Sequence, residues 1–304
     1  MSTKQNTLCI LGCGNLGTAI LASLLSAPEP DQLFTHYIAC ISSDASKQRL
    51  EAKFEHKTNL TISAGDNITA VQNADVVILA LDPAVITSGL TQPGFKEALG
   101  DKLLISVAAG WTVEKIAETL YGTNPAEDSS SGETEKKAKA TIIRTLPTIC
   151  ALVSQSLTAI EVNPASPPAP PALETTEKVF SCIGQTLQIP PSLIDATTAV
   201  AGSTPAMFAI IVDAMVDAAV AVGVPRSMAQ VMVVQSMRGS AEMMRSGLSA
   251  AELRDQGTSP GGCTMGGVMV LEEKGVRGGV GRAVREAVSV ARRMGEGGNL
   301  NDTR

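Results

Sequence analysis

The first half of the chain alternates short, unbroken apolar runs with segments of helical periodicity. Leu8–Gly12, Tyr37–Ile41, Val76–Leu81, Leu103–Val107, Thr141–Arg144 and Leu157–Glu161 each read as a strand. The runs lack polar alternation, so these strands are expected to be buried on both faces, in a parallel sheet covered by helices. Helices are expected from about Asn15 to Leu25 and over Ala45–Phe54. Strand–helix alternation of this kind implies right-handed crossovers and a doubly wound α/β fold.

Two segments interrupt the pattern. Gly122–Lys139 is polar and low in complexity and reads as a solvated insertion before the Thr141 strand. Pro164–Pro171 is proline-rich and extended, and marks the expected domain boundary. From Leu173 onward the pattern is almost wholly helical, apart from a short extended piece near Thr186–Ile189. Ser203–Val224 is Ala-rich and stops at Gly223; Pro225 opens a second helix to about Arg245. Shorter helices are expected over Ala250–Gln256 and about Gly262–Glu273. The most apolar stretch, Ala199–Val224, contains Asp213 and Asp217. Each carboxylate costs about 2.5–3.5 kcal/mol near a bilayer centre, so the expectation is a buried helix of a soluble protein and no membrane. The helical faces are too apolar to be covered inside one small bundle, which predicts a homodimer, with higher homo-oligomers open.

Composition narrows the function. The 304 residues accommodate two domains. Acidic residues (30) outnumber basic ones (24), and aromatics are 3%, which argues against nucleic-acid partners. Only His36 and His56 are present, so imidazole metal sites are disfavoured and no metal is expected. The six cysteines are scattered without a C-x-x-C pair, and the N-terminal segment has no signal-peptide pattern. Both point to a reducing, cytoplasmic setting.

Gly12-Cys13-Gly14-Asn15-Leu16-Gly17 is G-x-G-x-x-G, placed after the first strand and opening a helix. In such a turn Gly12 permits the tight bend, Gly14 admits a pyrophosphate to the backbone, and Gly17 lets helix and strand pack closely. The helix N-terminus supplies N–H donors and partial positive charge. The second strand ends in Ser42-Ser43 rather than a carboxylate, with Asp44 beside them and Lys47 and Arg49 following. Hydroxyls and cations suit a 2′-phosphate, so NADPH is favoured, with NADH possible; helix capping by this Ser pair is a compatible alternative. A second cluster, Thr258-Ser259-Pro260-Gly261-Gly262-Cys263-Thr264, forms a hydroxyl-rich helix entrance suited to a carboxylate. A capped turn with Ser259 as N-cap is the alternative there. Gly202-Ser203-Thr204-Pro205 is a similar helix start, for which capping is equally open.

Across nearly its whole length the sequence resembles the pyrroline-5-carboxylate reductase family. The likeness rests on the cofactor loop, on Ser106-Val107-Ala108-Ala109-Gly110, on Gly202-Ser203-Thr204-Pro205-Ala206, on Thr258 to Thr264, and on Val270-Leu271-Glu272-Glu273-Lys274-Gly275-Val276-Arg277. The resemblance implies a Rossmann-type dinucleotide-binding domain over residues 1–163 and an all-helical substrate-binding and dimerisation domain over residues 172–304. It implies reduction of a cyclic imino acid to proline with NAD(P)H, at a place where the two domains meet. Asn15, Leu16, Ser42, Ser43 and Asn67 would hold the nucleotide, and Ala80, Pro83, Ala108, Ala109 and Gly110 would line its nicotinamide side. Ser203, Ser259, Gly261, Gly262 and Thr264 would hold the substrate, with Thr264 bonding the ring nitrogen as the catalytic residue.

Four positions depart from the family pattern: Asp82 for a Lys, Thr148 for an Asn, Thr204 for a Gly and Met207 for an aromatic. They leave open a substituted or six-membered imine as substrate, weakened activity, or neutral drift. Two other readings remain open. One is a hydroxyacid-type reductase, which needs a base for the alcohol proton. The other is a non-catalytic NADP-binding protein.

Overall fold

The computed structural model describes residues 6–27, 32–122 and 139–294. Most of the polar insertion expected at Gly122–Lys139 lies outside the described residues. The strands are β1 (Thr7–Leu11), β2 (His36–Ile41), β3 (Leu60–Ala64), β4 (Val76–Leu79), β5 (Leu103–Ser106), β6 (Thr141–Leu146), β7 (Ser156–Glu161) and β8 (Gly184–Ile189). In the first part of the chain they alternate with helices α1 (Asn15–Ser26), α2 (Asp44–Lys53), α3 (Asn67–Gln72), α4 (Ile86–Leu90), α5 (Phe95–Ala98), α6 (Val113–Tyr121) and α7 (Pro170–Ser181). Then follow α8 (Ile194–Thr197), α9 (Thr204–Ala221), α10 (Arg226–Arg245), α11 (Ala250–Gln256), α12 (Cys263–Glu273) and α13 (Val276–Met294). The chain divides into two compact units, Met1–Gly202 with Val290–Arg304, and Ser203–Ser289.

The first unit is built on one eight-stranded sheet, in the order β3-β2-β1-β4-β5-β6-β7-β8. Its buried strands obey the period-two rule on both faces. Leu8 and Ile10 enter one core layer with Leu21 and Leu24 of α1. Cys9 and Leu11 enter the opposite layer with Ile86, Phe95, Trp111 and Ile116. This is the Rossmann-type doubly wound sheet expected from the unbroken apolar runs.

Three features of the first unit differ from the sequence expectation. β6 and β7 pair antiparallel, with Thr145 opposite Ile160, so the sheet is parallel only on either side of that seam. β3 has no counterpart among the expected strands; it lies at the sheet edge, with Thr61 and Ala64 exposed, and so lacks an apolar run. The proline-rich stretch is not where the units divide. Pro170 and Pro171 start α7, where proline's missing N–H costs nothing. Val179, Phe180 and Ile183 then fill the first core layer, and β8 pairs parallel with β7. Residues 164–202 therefore fold with the sheet.

The second unit holds α9 to α12 and the start of α13. The helix expected to be buried is not buried within one chain: in α9 only Val216 is buried, and Ile210 is 73% exposed. In α10 only Ala229 is buried, and in α12 none. Val231 (70%) and Met269 (65%) add to the uncovered apolar surface. The helical stretch Pro191–Ala221 is long and apolar enough to cross a membrane by length and composition, with mean hydropathy 1.7. Asp213 and Asp217 oppose that use, and Asp217 is paired with Arg226.

Candidate functional site: a dinucleotide edge and a glycine-entered helix

The sheet order sets where a ligand is held in the first unit. β2 and β3 lie on one side of β1, and the chain then returns so that β4 lies on the other. In such sheets the ligand crevice is at the carboxyl ends of the strands flanking that reversal, here β1 and β4. The register aligns five strand ends: Leu11 pairs with Cys40 and with Leu79, Leu79 with Ser106, and Ile41 with Ala64. Gly12, Gly14, Asn15, Leu16 and Gly17 follow β1 directly, and Ser42 and Ser43 follow β2. Asn67 opens α3 just after β3, Ala80 and Pro83 follow β4, and Ala108, Ala109 and Gly110 follow β5. The structure thus brings every residue proposed for the nucleotide to one sheet edge.

The three glycines separate by geometry. Gly12 has φ of +95°, and a Cβ there would lie 2.5 Å from the Ala80 carbonyl oxygen. A Cβ at Gly17 would lie 2.4 Å from the Gly12 carbonyl oxygen. At Gly14 nothing lies within 4 Å of a Cβ position. Two glycines therefore serve packing, while the middle one faces open space, as a backbone that receives a phosphate must. The N–H groups of Gly12 and Cys13 are spent on the Cys40 carbonyl, at 3.2 and 2.9 Å. Gly14 is the N-cap of α1 and supplies no side-chain cap, so the first-turn N–H groups of α1 have no intrahelical partner. These features fit a dinucleotide pyrophosphate.

The Cys13 carbonyl accepts from Thr18 Oγ1 at 3.0 Å and from Arg49 Nη2 at 3.2 Å. Burial, and then the neighbouring Cys40, push the Cys13 thiol up to about 12, with Arg49 acting in the opposite direction. Cys13 is thus an inert apolar filler, not a nucleophile. Ser43 is the N-cap of α2 and accepts from the Ser46 N–H at 3.3 Å. Ser42 is exposed, and its hydroxyl has no partner among the described residues. The two readings of this serine pair therefore divide, with Ser43 capping and Ser42 open to ligand. Of the nearby cations, Lys47 lies 4.0 Å from Glu51 on the surface of α2, and Arg49 reaches the glycine loop.

Past β5, the Ser106 Oγ accepts from the Ala108 N–H at 3.3 Å, and its carbonyl accepts from Thr145 Oγ1 at 3.1 Å. Sequence reasoning missed this buried pair, which holds the Ala108–Gly110 turn. Asp82 is an exposed N-cap: its Oδ1 accepts from the Ala84 N–H at 2.9 Å and starts the short turn Pro83–Val85. A carboxylate there has a local structural reason that a lysine could not meet. Thr148 is buried at 6% exposure. Its N–H donates to Ser156 Oγ at 2.9 Å, and Ser156 Oγ lies 3.4 Å from Thr158 Oγ1. Its polarity is therefore turned into β7.

In the second unit α12 begins at Cys263 with Gly262 as N-cap and no side-chain cap. That removes the alternative in which Ser259 caps the helix. Gly261 has φ of +69°, and the Gly262 N–H donates to the Ser259 carbonyl at 2.9 Å. A Cβ at Gly262 would lie 2.7 Å from Ser259 Oγ. Ser259, Gly261 and Thr264 are exposed, and Gly262 half-buried. Ser203 sits at the N-cap position of α9 but makes no side-chain cap bond, because residues 198–203 form a π-helical segment that runs on into that helix. Thr204 opens α9, and nothing in the structure explains Thr204 in place of glycine or Met207 in place of an aromatic. Among the described residues no group of three or more His, Cys, Asp or Glu is placed to hold a metal ion.

A family model described as pyrroline-5-carboxylate reductase dimerisation matches residues 191–294, and one described as NADP oxidoreductase, coenzyme F420-dependent, matches residues 7–110. A pyrroline-5-carboxylate reductase of Lophium arboricola is 40% identical, over 99% of this chain and 97% of its own length. The chain belongs to the pyrroline-5-carboxylate reductase family. A family member from Neurospora crassa is 34% identical over 100% of this chain and 98% of its own. A solved pyrroline-5-carboxylate reductase from Coxiella burnetii shares the fold, with TM-score 0.77 and 24% identity, covering 96% of this chain and 99% of that one. A Plasmodium falciparum pyrroline carboxylate reductase with NADP bound gives TM-score 0.75 at 23% identity, covering 96% and 99%. The dimerisation match spans the helices left uncovered here, which places homo-oligomerisation in this family's helical region.

Proposed function

We propose that this chain reduces the C=N bond of a cyclic imino acid, 1-pyrroline-5-carboxylate, to L-proline with NADPH. One observation carries the reading: a chain that matches its family relative over nearly the whole of both lengths combines a backbone cradle open at Gly14 with an uncapped, glycine-entered helix at Gly262. The first-turn N–H groups of α1, from Asn15 to Gly17, bind the pyrophosphate. Ser42, Ser43 and Asn67 face the adenosine ribose and its 2′-phosphate. Ala80, Pro83 and Ala108 to Gly110 line the nicotinamide. Ser203, Ser259, Gly261 and Gly262 hold the substrate carboxylate, with the N–H groups at the start of α12.

When bound, NADPH supplies the hydride. A protonated imine is already electrophilic, so the protein's task is to present its carbon and keep it oriented. Thr264 donates or accepts at the ring nitrogen. No side-chain base is required, in contrast to a hydroxyacid dehydrogenase. A homodimer is part of the proposal, supported by the uncovered apolar faces of α9, α10 and α12. So is a cytoplasmic location, supported by free cysteines throughout.

NADPH consumption over five- and six-membered cyclic imino acids tests the substrate. The five-membered ring is expected to be preferred; a preference for the six-membered ring moves the assignment to the alternative substrate. Thr264→Ala is expected to lower kcat/KM by about tenfold or more, the scale of one hydrogen bond to a charged group. Unchanged turnover and substrate affinity in that variant would remove Thr264 from the site. Ser42→Asp is expected to disfavour NADPH relative to NADH, because a carboxylate repels the 2′-phosphate and accepts from a 2′-hydroxyl. The ratio of kcat/KM values for the two nucleotides reads this out.

A further inference from the structure

We infer that Arg49 is a positioning residue for the pyrophosphate cradle, and not a ligand of the 2′-phosphate. The inference rests on the proposed dinucleotide role of the β1–α1 turn and deepens it. Arg49 lies on α2, whose rotation is set by burial of the adjacent Leu50 at 0% exposure. That rotation sends the Arg49 guanidinium back to the glycine loop, where Nη2 donates to the Cys13 carbonyl at 3.2 Å. Thr18 Oγ1 donates to the same oxygen at 3.0 Å. Both of that carbonyl's acceptor sites are therefore occupied.

The Cys13 C=O and the Gly14 N–H belong to one planar trans peptide unit and point in opposite directions. Holding the carbonyl fixes where the N–H points. The Gly14 side is the open one, with nothing within 4 Å of a Cβ position. A guanidinium on the oxygen also polarises the peptide and strengthens the opposite N–H as a donor. Arg49 thus acts on the pyrophosphate through the peptide it holds. The pyrophosphate is common to NADH and NADPH, so Arg49 contributes to both alike. The 2′-phosphate is left to the Ser42, Ser43 and Asn67 side of the cradle, where the Ser42 hydroxyl is exposed and uncommitted.

The test compares wild type, Arg49→Gln, Arg49→Lys and Thr18→Val for Kd and steady-state constants with NADPH and with NADH, alongside thermal midpoints. Arg49 is exposed, so its variants should keep the wild-type midpoint. Arg49→Gln is expected to weaken both nucleotides by about tenfold, the scale of one charge-assisted hydrogen bond. KM should rise with kcat little changed, and Arg49→Lys should recover part of the loss for both. Thr18→Val should move both nucleotides in the same direction. Loss confined to NADPH in the Arg49 variants would overturn the inference by making Arg49 a phosphate ligand. Unchanged affinity for both would also overturn it. A wild-type protein that binds neither nucleotide would overturn the dinucleotide reading itself, a result distinct from either.

Discussion

Gly17→Ala is expected to destabilise the first unit by about 3 kcal/mol or more, at the upper end of overpacking costs because the clash is with main chain. The added methyl would stand 2.4 Å from the Gly12 carbonyl oxygen and 3.2 Å from Ile10 Cγ2. Neither α1 nor the Gly12 turn can yield without losing the pair of bonds from Gly12 and Cys13 to the Cys40 carbonyl. Nucleotide binding should be lost with the turn. Gly14→Ala supplies the contrast. Its φ of −71° suits alanine, and its Cβ meets nothing within 4 Å. Stability should stay within about 0.5 kcal/mol of wild type, while the methyl occupies space the phosphate needs and NADPH affinity falls. Urea midpoints and nucleotide titrations separate the two. Equal destabilisation of both variants, or normal NADPH binding by Gly14→Ala, would contradict the division of roles.

The second large effect lies at the seam where the sheet changes direction. Arg144 Nη1 on β6 meets Glu161 Oε2 on β7 at 3.4 Å, with side chains 8% and 9% exposed. Arg144 Nε has no hydrogen-bond partner among the described residues. Glu161→Ala leaves that cation buried without its carboxylate, which costs about 3–5 kcal/mol. Replacing both residues by apolar ones of similar volume should cost far less, because the desolvation of two charges disappears with their attraction. Burial raises the Glu161 carboxyl above its usual value, Arg144 pulls it down, and Glu114 adds to the rise. A carboxyl whose folded pKa lies above its unfolded one binds more protons in the folded state. Its contribution to stability is therefore fullest below the unfolded pKa and falls as pH rises through the raised folded value. Glu161→Gln should flatten that limb of the urea-midpoint profile. A limb unchanged in the variant would assign the pH dependence to other groups.

How far the sequence could be read follows from what each feature demands of it. The central strands were legible because burial on both faces demands unbroken apolar runs, as in Val76–Leu79. The edge strand β3, LTISA, makes no such demand and carries no apolar run to mark it. The β6–β7 reversal had a signal in length. Residues 147–155 hold only a short turn (Ile149–Val153), and a parallel crossover needs a dozen residues or more. By composition Pro164–Pro171 reads as a boundary, whereas in the fold Pro170 starts a helix that packs on the sheet.

At the candidate site, glycines were legible because turn, approach and packing each require an absent side chain. The contact of Arg49 with the Cys13 carbonyl was not. It depends on the rotation of α2, which only the burial of Leu50 reveals. The same holds for Asp82 and Thr148. As isolated exchanges in a motif they suggested altered chemistry. In the fold, one caps a turn and the other joins buried hydroxyls on β7.

Isotope transfer reads hydride delivery to the imine carbon without an intermediary. The protein is incubated with 1-pyrroline-5-carboxylate and NADPH deuterated at the transferring position of the nicotinamide. One L-proline is expected per NADPH consumed, with deuterium on the ring carbon that had been doubly bonded to nitrogen. NADPH that binds but is not oxidised by any cyclic imine, or proline formed without the label, would contradict it.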